Sequence, residues 1–369
     1  MSAYRFALVG SGWRAAFYAR LARKMPDLFQ LTGTWLHRPE NTPEWQKKYG
    51  GAVAALPEDL LKDRPDFLVV ALNKQHAFPY IMSLLEADVP LLLETPPAVE
   101  AQHMIALWEA AKNRKAPVFV AEQYPDQPYF SAWKRAVDLG MLGTVSNMSV
   151  SMVHGYHAMA LIRSFLNVRG ENARITGCQH RFPVQKTGDR QGMILDGEIH
   201  QPARDQAVVT FDSGKTAFYD FSGEQYHSAI RFSHFGVQGD RGEIFDQRIL
   251  CLNHQGYPVE EALVRRQRGM LDCSEYRLQG IMLGDRWLYE NPYPGVPLGD
   301  DEIALAVCMQ RMGQMVRGEK TPGRAYYLTE ALQDAYMALQ MRQAIDTAQT
   351  VTIAGAPWQC ALKGEEKHV

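Results

Sequence analysis

The turn Gly10-Ser11-Gly12-Trp13-Arg14-Ala15 lies between a short apolar run and a helix-like segment near the start of the chain, and it limits the folds open to the rest of the sequence. The first glycine permits a tight turn, the second lets backbone approach a ligand closely, and a small third residue lets helix pack on strand. Free N–H groups at the helix start then attract an anion. Apolar runs at residues 6–9, 31–36, 67–72, 91–93 and 118–121 alternate with helical segments at 13–24, 58–62, 77–86 and 101–113. This alternation predicts a parallel sheet with crossover helices, its strands buried on both faces. In that setting the turn is a dinucleotide fingerprint, with the pyrophosphate on Gly10, Ser11, Gly12 and Trp13.

With 369 residues the chain has material for two domains. The expected division is a Rossmann domain at 1–125 and an α+β domain at 126–369 for substrate and oligomerisation. Beyond about residue 144 the pattern becomes alternating, at 145–153, 206–211, 216–221 and 230–237, as in a large, mainly antiparallel open sheet. Asp212-Ser213-Gly214-Lys215 reads as a hairpin turn. Helical periodicity returns at 300–316 and 328–345, with Gly318, Pro322 and Gly323 between, and these helices are expected to pack back on the first domain.

A net charge of −2 without basic clusters predicts neither a nucleic-acid nor a membrane partner, so a small molecule is expected. The cysteines at 178, 251, 273, 308 and 360 are far apart and odd in number, which predicts no disulfide framework. His227 and His234 lack neighbours at ligand spacing, and no metal is expected. Without a charged leader or a long apolar window the expected location is the cytoplasm. An open sheet face would be covered in a homodimer or homotetramer.

Dinucleotide folds commonly carry an acid at the end of the second strand, to bind the adenosine ribose. Here that position is Leu36, followed by His37 and Arg38. NAD and NADP are both admissible, with a slight lean to NADP because nothing repels a 2′-phosphate. Arg14 either adds a charge to the phosphates or is a solvated residue of the first helical turn.

The order of glycine loop, Asn73-x-x-His76 after the strand ending at Leu72, and Glu94-Thr95-Pro96 after the next strand resembles the glucose–fructose oxidoreductase, inositol dehydrogenase and rhizopine catabolism family. The resemblance extends over the β-rich second domain with Gly155-Tyr156-His157 and over the helical tail. It implies NAD(P)-dependent hydride transfer on sugars, cyclitols or related polyols. Leu72, Asn73, His76, Glu94 and Gln123 then become cofactor contacts. The family's Glu-Lys-Pro is Glu-Thr-Pro here, so Thr95 brings a hydroxyl where a charged lysine is usual. In its Asp-x-x-x-His motif Val153 replaces the aspartate while His157 remains.

His157 is the first choice of acid/base, since imidazole exchanges a proton near neutrality. Tyr124 is the second, or else an aromatic folded against Pro125 and Pro128. His154 and Tyr156 can supply further polar contacts to substrate, and Arg163, His180, Arg231 and Tyr226 are more distant candidates. Three functions stay open: net oxidation or reduction of a polyol, glycoside cleavage or isomerisation through a keto-sugar with cofactor regenerated in each turnover, and a non-catalytic cofactor-binding regulator.

Overall fold

The computed structural model describes residues 2–269, 275–320 and 325–364. The chain begins with β1 (Tyr4–Val9), α1 (Ala15–Lys24), β2 (Phe29–Trp35), α2 (Thr42–Tyr49) and β3 (Ala52–Ala54). It continues through β4 (Phe67–Val70), α3 (Ala77–Glu86), β5 (Leu91–Leu93), α4 (Ala101–Ala111) and β6 (Val118–Val120). The strands form a six-stranded parallel sheet in the order β3-β2-β1-β4-β5-β6. Every residue of β4, β5 and β6 is buried, as expected of strands covered on both faces. Register aligns Val9 with Val70, Val70 with Leu93, and Leu93 with Val120. Four strands therefore end together, and the segments leaving them share one edge of the sheet. Between β1 and β4 the strand order reverses, which opens the crevice where such sheets take ligands.

Next come α5 (Pro128–Asp138), β7 (Val145–Ser151), α6 (Gly155–Leu166) and β8 (Ala173–Arg181). Four two-residue strands succeed them: β9 (Val184–Gln185), β10 (Gly188–Asp189), β11 (Gly192–Met193) and β12 (Ile199–His200). The long strands after these are β13 (Ala203–Phe211), β14 (Thr216–Phe221), β15 (His234–Gly239) and β16 (Gly242–Phe245). Then come β17 (Arg248–Leu252), β18 (Pro258–Arg268), β19 (Arg277–Leu283) and β20 (Arg286–Glu290), with α7 (Asp300–Val316), α8 (Leu328–Thr347), β21 (Val351–Ile353) and α9 (Gln359–Lys363) closing the chain. An eleven-stranded sheet runs β20-β19-β18-β17-β16-β15-β7-β14-β13-β8-β21. It is antiparallel except for β7 beside β14, which pair in parallel. The residues 212–215 do make the expected turn: Gly214 sits at φ +84° and donates to the Phe211 carbonyl at 2.9 Å.

The tail packs on the first sheet from both sides. On one face α7 lies against β1 and α1, so close that a Cβ on Gly313 would meet the Tyr4 ring at 2.3 Å. On the other face α8 joins α3 and α4, and Val120 donates its N–H to the Tyr326 carbonyl at 2.9 Å.

Several expectations needed correction. The parallel sheet has six strands rather than five, because β3 adds an edge strand after α2. The strand expected at 230–237 begins at His234. Residues 58–62 lie in a 3₁₀ segment, Pro57–Asp63. Cys273, Pro322 and Gly323 lie outside the described residues.

Arg163, a candidate sugar contact by sequence, is instead a buried tie between α6 and α8. Its guanidinium donates to Asp334 Oδ1 at 2.7 Å and Glu330 Oε2 at 2.6 Å. Removing one partner of such a cluster leaves uncompensated buried charge. Burial already raises Asp334 to about 6, even beside Arg163. Because that carboxyl's folded pKa exceeds its unfolded value, the ionised form weighs against folding as pH rises through this range. Arg163→Met should cost about 3–5 kcal/mol in urea unfolding at pH 8, and distinctly less at pH 5, where Asp334 takes up a proton.

Candidate active site

The segments leaving β1, β4, β5 and β6 meet the start of α6 and the β10–β11 hairpin around a cavity of about 710 Å³. Trp13, Arg14 and Leu72 line it from the first two segments, Glu94 and Thr95 from the third, and Gln123 and Tyr124 from the fourth. His154, His157 and Tyr226 face them from the β-rich part of the chain.

Gly10 adopts φ +124°, and a Cβ there would lie 2.3 Å from the Ala71 carbonyl oxygen, so the turn admits glycine alone. Nothing lies within 4 Å of a Cβ built on Gly12, which leaves open space above the loop. The first turn of α1 carries no acid. Arg14 is not the solvated residue that its position allowed. Its Nε donates to Glu94 Oε1 at 2.8 Å and its Nη1 to Asp301 Oδ2 at 3.1 Å. Tyr18 donates its hydroxyl to the same Glu94 oxygen, and the Thr95 N–H bonds Glu94 Oε2 at 3.2 Å. Arg14 Nη2 is buried with no protein partner, and so is the Gln123 Oε1. An anion and a carboxamide are the groups that would satisfy these two atoms, so the residues fit a nicotinamide dinucleotide.

The surroundings of the β2 end are aromatic. His37 stacks on His76 with centroids 6.3 Å apart and shares a 3.2 Å hydrogen bond with the Tyr80 hydroxyl. Arg38 is exposed and Leu36 is buried. Asn73 opens the turn that leads into α3, its carbonyl accepting the His76 N–H at 2.8 Å and its Oδ1 the Gln75 N–H at 3.0 Å.

Opposite the loop, Glu122 and His157 form a pair of which sequence reasoning found only half. Glu122 lies two residues past the end of β6 and is fully buried; its Oε2 lies 2.7 Å from His157 Nδ1, while Oε1 accepts the Tyr124 N–H at 3.1 Å. Burial pushes Glu122 up to about 8, against the pull of Arg14 and with the push of Glu94 and Asp126. Burial pushes His157 down to about 3, helped by the charges of Arg14 and Lys74 and opposed by Glu94 and Asp301. Both groups are driven towards their neutral forms. With Nδ1 committed to Glu122, Nε2 is the nitrogen left for a ligand.

Around the pair, Tyr124 packs its ring 4.5 Å from that of His157, and burial raises its phenol, which stays protonated. His154 stands at the N-cap of α6, its Nδ1 is 2.7 Å from the Tyr226 hydroxyl, and burial lowers it to about 3. Tyr156 is buried with its hydroxyl unpartnered. Lys74, from the loop after β4, is exposed, lines the same cavity and lowers both histidines by its charge. It was not singled out, because a lysine in a polar loop carries no periodic or motif signal. Val153, at the position of the family's aspartate, is buried in the core. Among the remaining candidates, Tyr226 reaches the cavity. His180 is exposed beside Cys178 on β8, and Arg231 lies over the Phe182 ring, so neither is brought to it. No cluster of metal-ligating side chains occurs among the described residues.

Nitrogen NMR should therefore find the His157 ring neutral from pH 5 to 9. Its proton is expected on Nε2 while Glu122 is protonated, moving to Nδ1 as Glu122 ionises near pH 8. An imidazolium signal at pH 6 would contradict the assignment.

Residues 4–122 match the family described as "Oxidoreductase family, NAD-binding Rossmann fold". Solved structures share the fold across nearly the whole chain, three among them as follows. A levoglucosan dehydrogenase in complex with NADH and levoglucosan is 12% identical, with TM-score 0.68, covering 95% of this chain and 99% of that one. The apo scyllo-inositol dehydrogenase of Lactobacillus casei is 14% identical, with TM-score 0.66 and coverage of 96% and 99%. An oxidoreductase from Agrobacterium radiobacter in complex with NAD+, L-tartaric acid and magnesium is 14% identical, with TM-score 0.64 and coverage of 95% and 98%. No curated protein matches the sequence significantly. Through the family match, residues 4–122 form an NAD-binding Rossmann fold of the Gfo/Idh/MocA oxidoreductase type, and beyond them the likeness is one of fold.

Proposed function

We propose that this protein is an NAD(P)-dependent oxidoreductase acting on a CH–OH group of a carbohydrate, cyclitol or related polyol. The observation that carries this reading is the buried Glu122–His157 pair, whose His157 borders the same cavity as Trp13 and Arg14 of the glycine loop and Gln123. The nicotinamide, when bound, supplies the acceptor or donor of hydride. The chain's own residues handle the proton.

With Glu122 ionised and Nδ1 protonated, His157 Nε2 accepts the proton of a substrate hydroxyl; with Glu122 protonated, the Nε2–H donates one to a carbonyl. Thr95 and Tyr124 orient the reacting oxygen. Lys74 brings the positive charge that Thr95 lacks, and a cation beside a developing alkoxide lowers its energy. Gly10, Ser11, Gly12 and Trp13 hold the pyrophosphate, Arg14 acts through its free Nη2, and Gln123 takes the carboxamide. Glu94 acts indirectly, by fixing Arg14. Leu36, His37 and Arg38 oppose no 2′-phosphate, so both NAD(H) and NADP(H) are admissible, with a slight lean to NADP(H). A purely regulatory role would leave the burial of Glu122 without a compensating use.

Energy transfer from tryptophan to NADH or NADPH should show saturable binding, tighter for NADPH, and Gly10→Ala should weaken it at least tenfold. Failure of the wild type to bind either cofactor would remove the proposal. His157→Ala should lower kcat/KM by about 10²–10⁴ with cofactor affinity kept. Polyol oxidation should rise through pH 8 as Glu122 ionises, and Glu122→Gln should flatten that rise. Lys74→Met should lower kcat, with Lys74→Arg restoring part of it.

The uncovered face of the large sheet carries Val208, Phe218, Phe245 and Leu250, all exposed. Such a patch suits self-association. Sedimentation should find a homodimer or homotetramer, and Phe218→Asp should shift it towards monomer.

A further inference from the structure

A second cavity of about 730 Å³ opens beside the first, and Lys74, Pro96 and His154 border both. Small side chains make room for it. Ala335 and Ala338, one turn apart on α8, face Gly155 at the start of α6, with Ala98 and Ala203 completing the gap. Larger residues at these points would close the space by ordinary packing.

Its walls have two characters. Tyr219, Phe221, Leu339 and Met341 supply apolar surface, while Glu224, Asp205, Gln179 and Arg342 supply a polar edge. Asp205 is already satisfied, accepting from Gln179 at 2.8 Å and from Arg342 at 2.6 Å. Glu224 differs. Its side chain is only 9% exposed; Oε2 lies 2.9 Å from His200, but Oε1 is buried with no partner. A buried acceptor of this kind is destabilising until something donates to it. Two carboxylates on the rim offset the charge of Arg342, which lies 2.6 Å from Asp205 and 2.9 Å from Asp346, and so disfavour an anionic occupant, while the Arg342 Nε is buried without a hydrogen-bond partner and calls for a neutral acceptor oxygen. A purely apolar occupant would leave Glu224 unsatisfied. A sugar ring has both characters, an apolar C–H face and an edge of hydroxyl donors.

We infer that this cavity is a second subsite, holding another hydroxyl-bearing ring of a two-ring glycoside whose first ring occupies the cavity at His157. The inference rests on the proposal that the His157 cavity takes a sugar. The second ring lies against Tyr219 and Phe221 and donates a hydroxyl to Glu224 Oε1, and the glycosidic link passes between Lys74 and His154.

The test is calorimetric titration of the protein saturated with NADH, using matched probes: glucose with cellobiose and maltose, galactose with lactose, and myo-inositol with galactinol. In at least one pair the two-ring probe should bind tenfold or more tightly than its single ring. Ala338→Phe and Leu339→Trp, each checked by thermal melting, should reduce that advantage below twofold without changing single-ring affinity. Glu224→Met should do the same, and Glu224→Gln, which keeps an acceptor oxygen, should retain most of it. Equal or weaker binding of every two-ring probe, or an advantage that survives in whichever filled variant folds, would overturn the subsite alone. If NADH binds and no single- or two-ring probe does, the sugar reading itself falls, and the subsite with it.

Discussion

One partly buried cation, Arg14, joins three distant parts of the chain. It connects the glycine loop to Glu94 at the end of β5 and to Asp301 in the first turn of α7, and Tyr18 completes the cluster from α1. Taking these groups from water is costly, and only close, multiply bonded geometry offsets it. The arrangement leaves little freedom in where the loop, the β5 end and the C-terminal helix sit relative to one another. Asp301 extends the tie further, because its Oδ1 accepts from Gln127 at 2.7 Å, just before α5. The edge of the parallel sheet is thereby fixed before any ligand arrives, so binding need not include the entropy loss of ordering it.

The same charge acts at longer range. Arg14 pulls the Glu122 pKa down and the His157 pKa down, so it favours the carboxylate and disfavours the imidazolium. Burial opposes it at Glu122 and reinforces it at His157. The outcome is a carboxyl near pH 8 next to a ring that stays neutral, a combination that moves one proton along a line without creating a second charge. A histidine alone in this pocket would be held neutral without a partner to relay its proton. Glu122 supplies that partner, and the Tyr124 N–H on its other oxygen sets its orientation.

How much of this was legible depends on whether a feature is local. β5, α3 and α7 were readable because apolar period and boundary residues lie within the element itself. β3 and α2 were not: β3 is a three-residue edge strand after Gly50 and Gly51, and Trp45 is the sole buried residue of α2. Alternation marked β7 and β14 as strands, but a period of two is blind to direction, and their parallel pairing depends on the route of the chain between them. In the site, the glycine loop, Glu94, Gln123, Tyr124 and His157 were visible through order and spacing. Glu122 was not recognised as His157's partner because 35 residues separate them. Arg14 was left between phosphate contact and solvent, whereas its partners come from positions 94 and 301.

Departures from a family's usual residues are easily taken as loss. Here Val153 is 2% exposed within the core of the large sheet, so an aspartate there would carry charge into apolar packing unless its surroundings also changed. The acid next to His157 comes from the end of β6, and Lys74, from the loop after β4, brings to the cavity a positive charge that Thr95 does not. On the function proposed, what matters is a carboxylate on one imidazole nitrogen and a positive charge facing the other side of the cavity, whichever strands provide them. Strands that end together on one edge can exchange such duties among themselves. Replacements at 95 and 153 therefore bear on activity only together with the residues that the opposite walls of the same cavity supply.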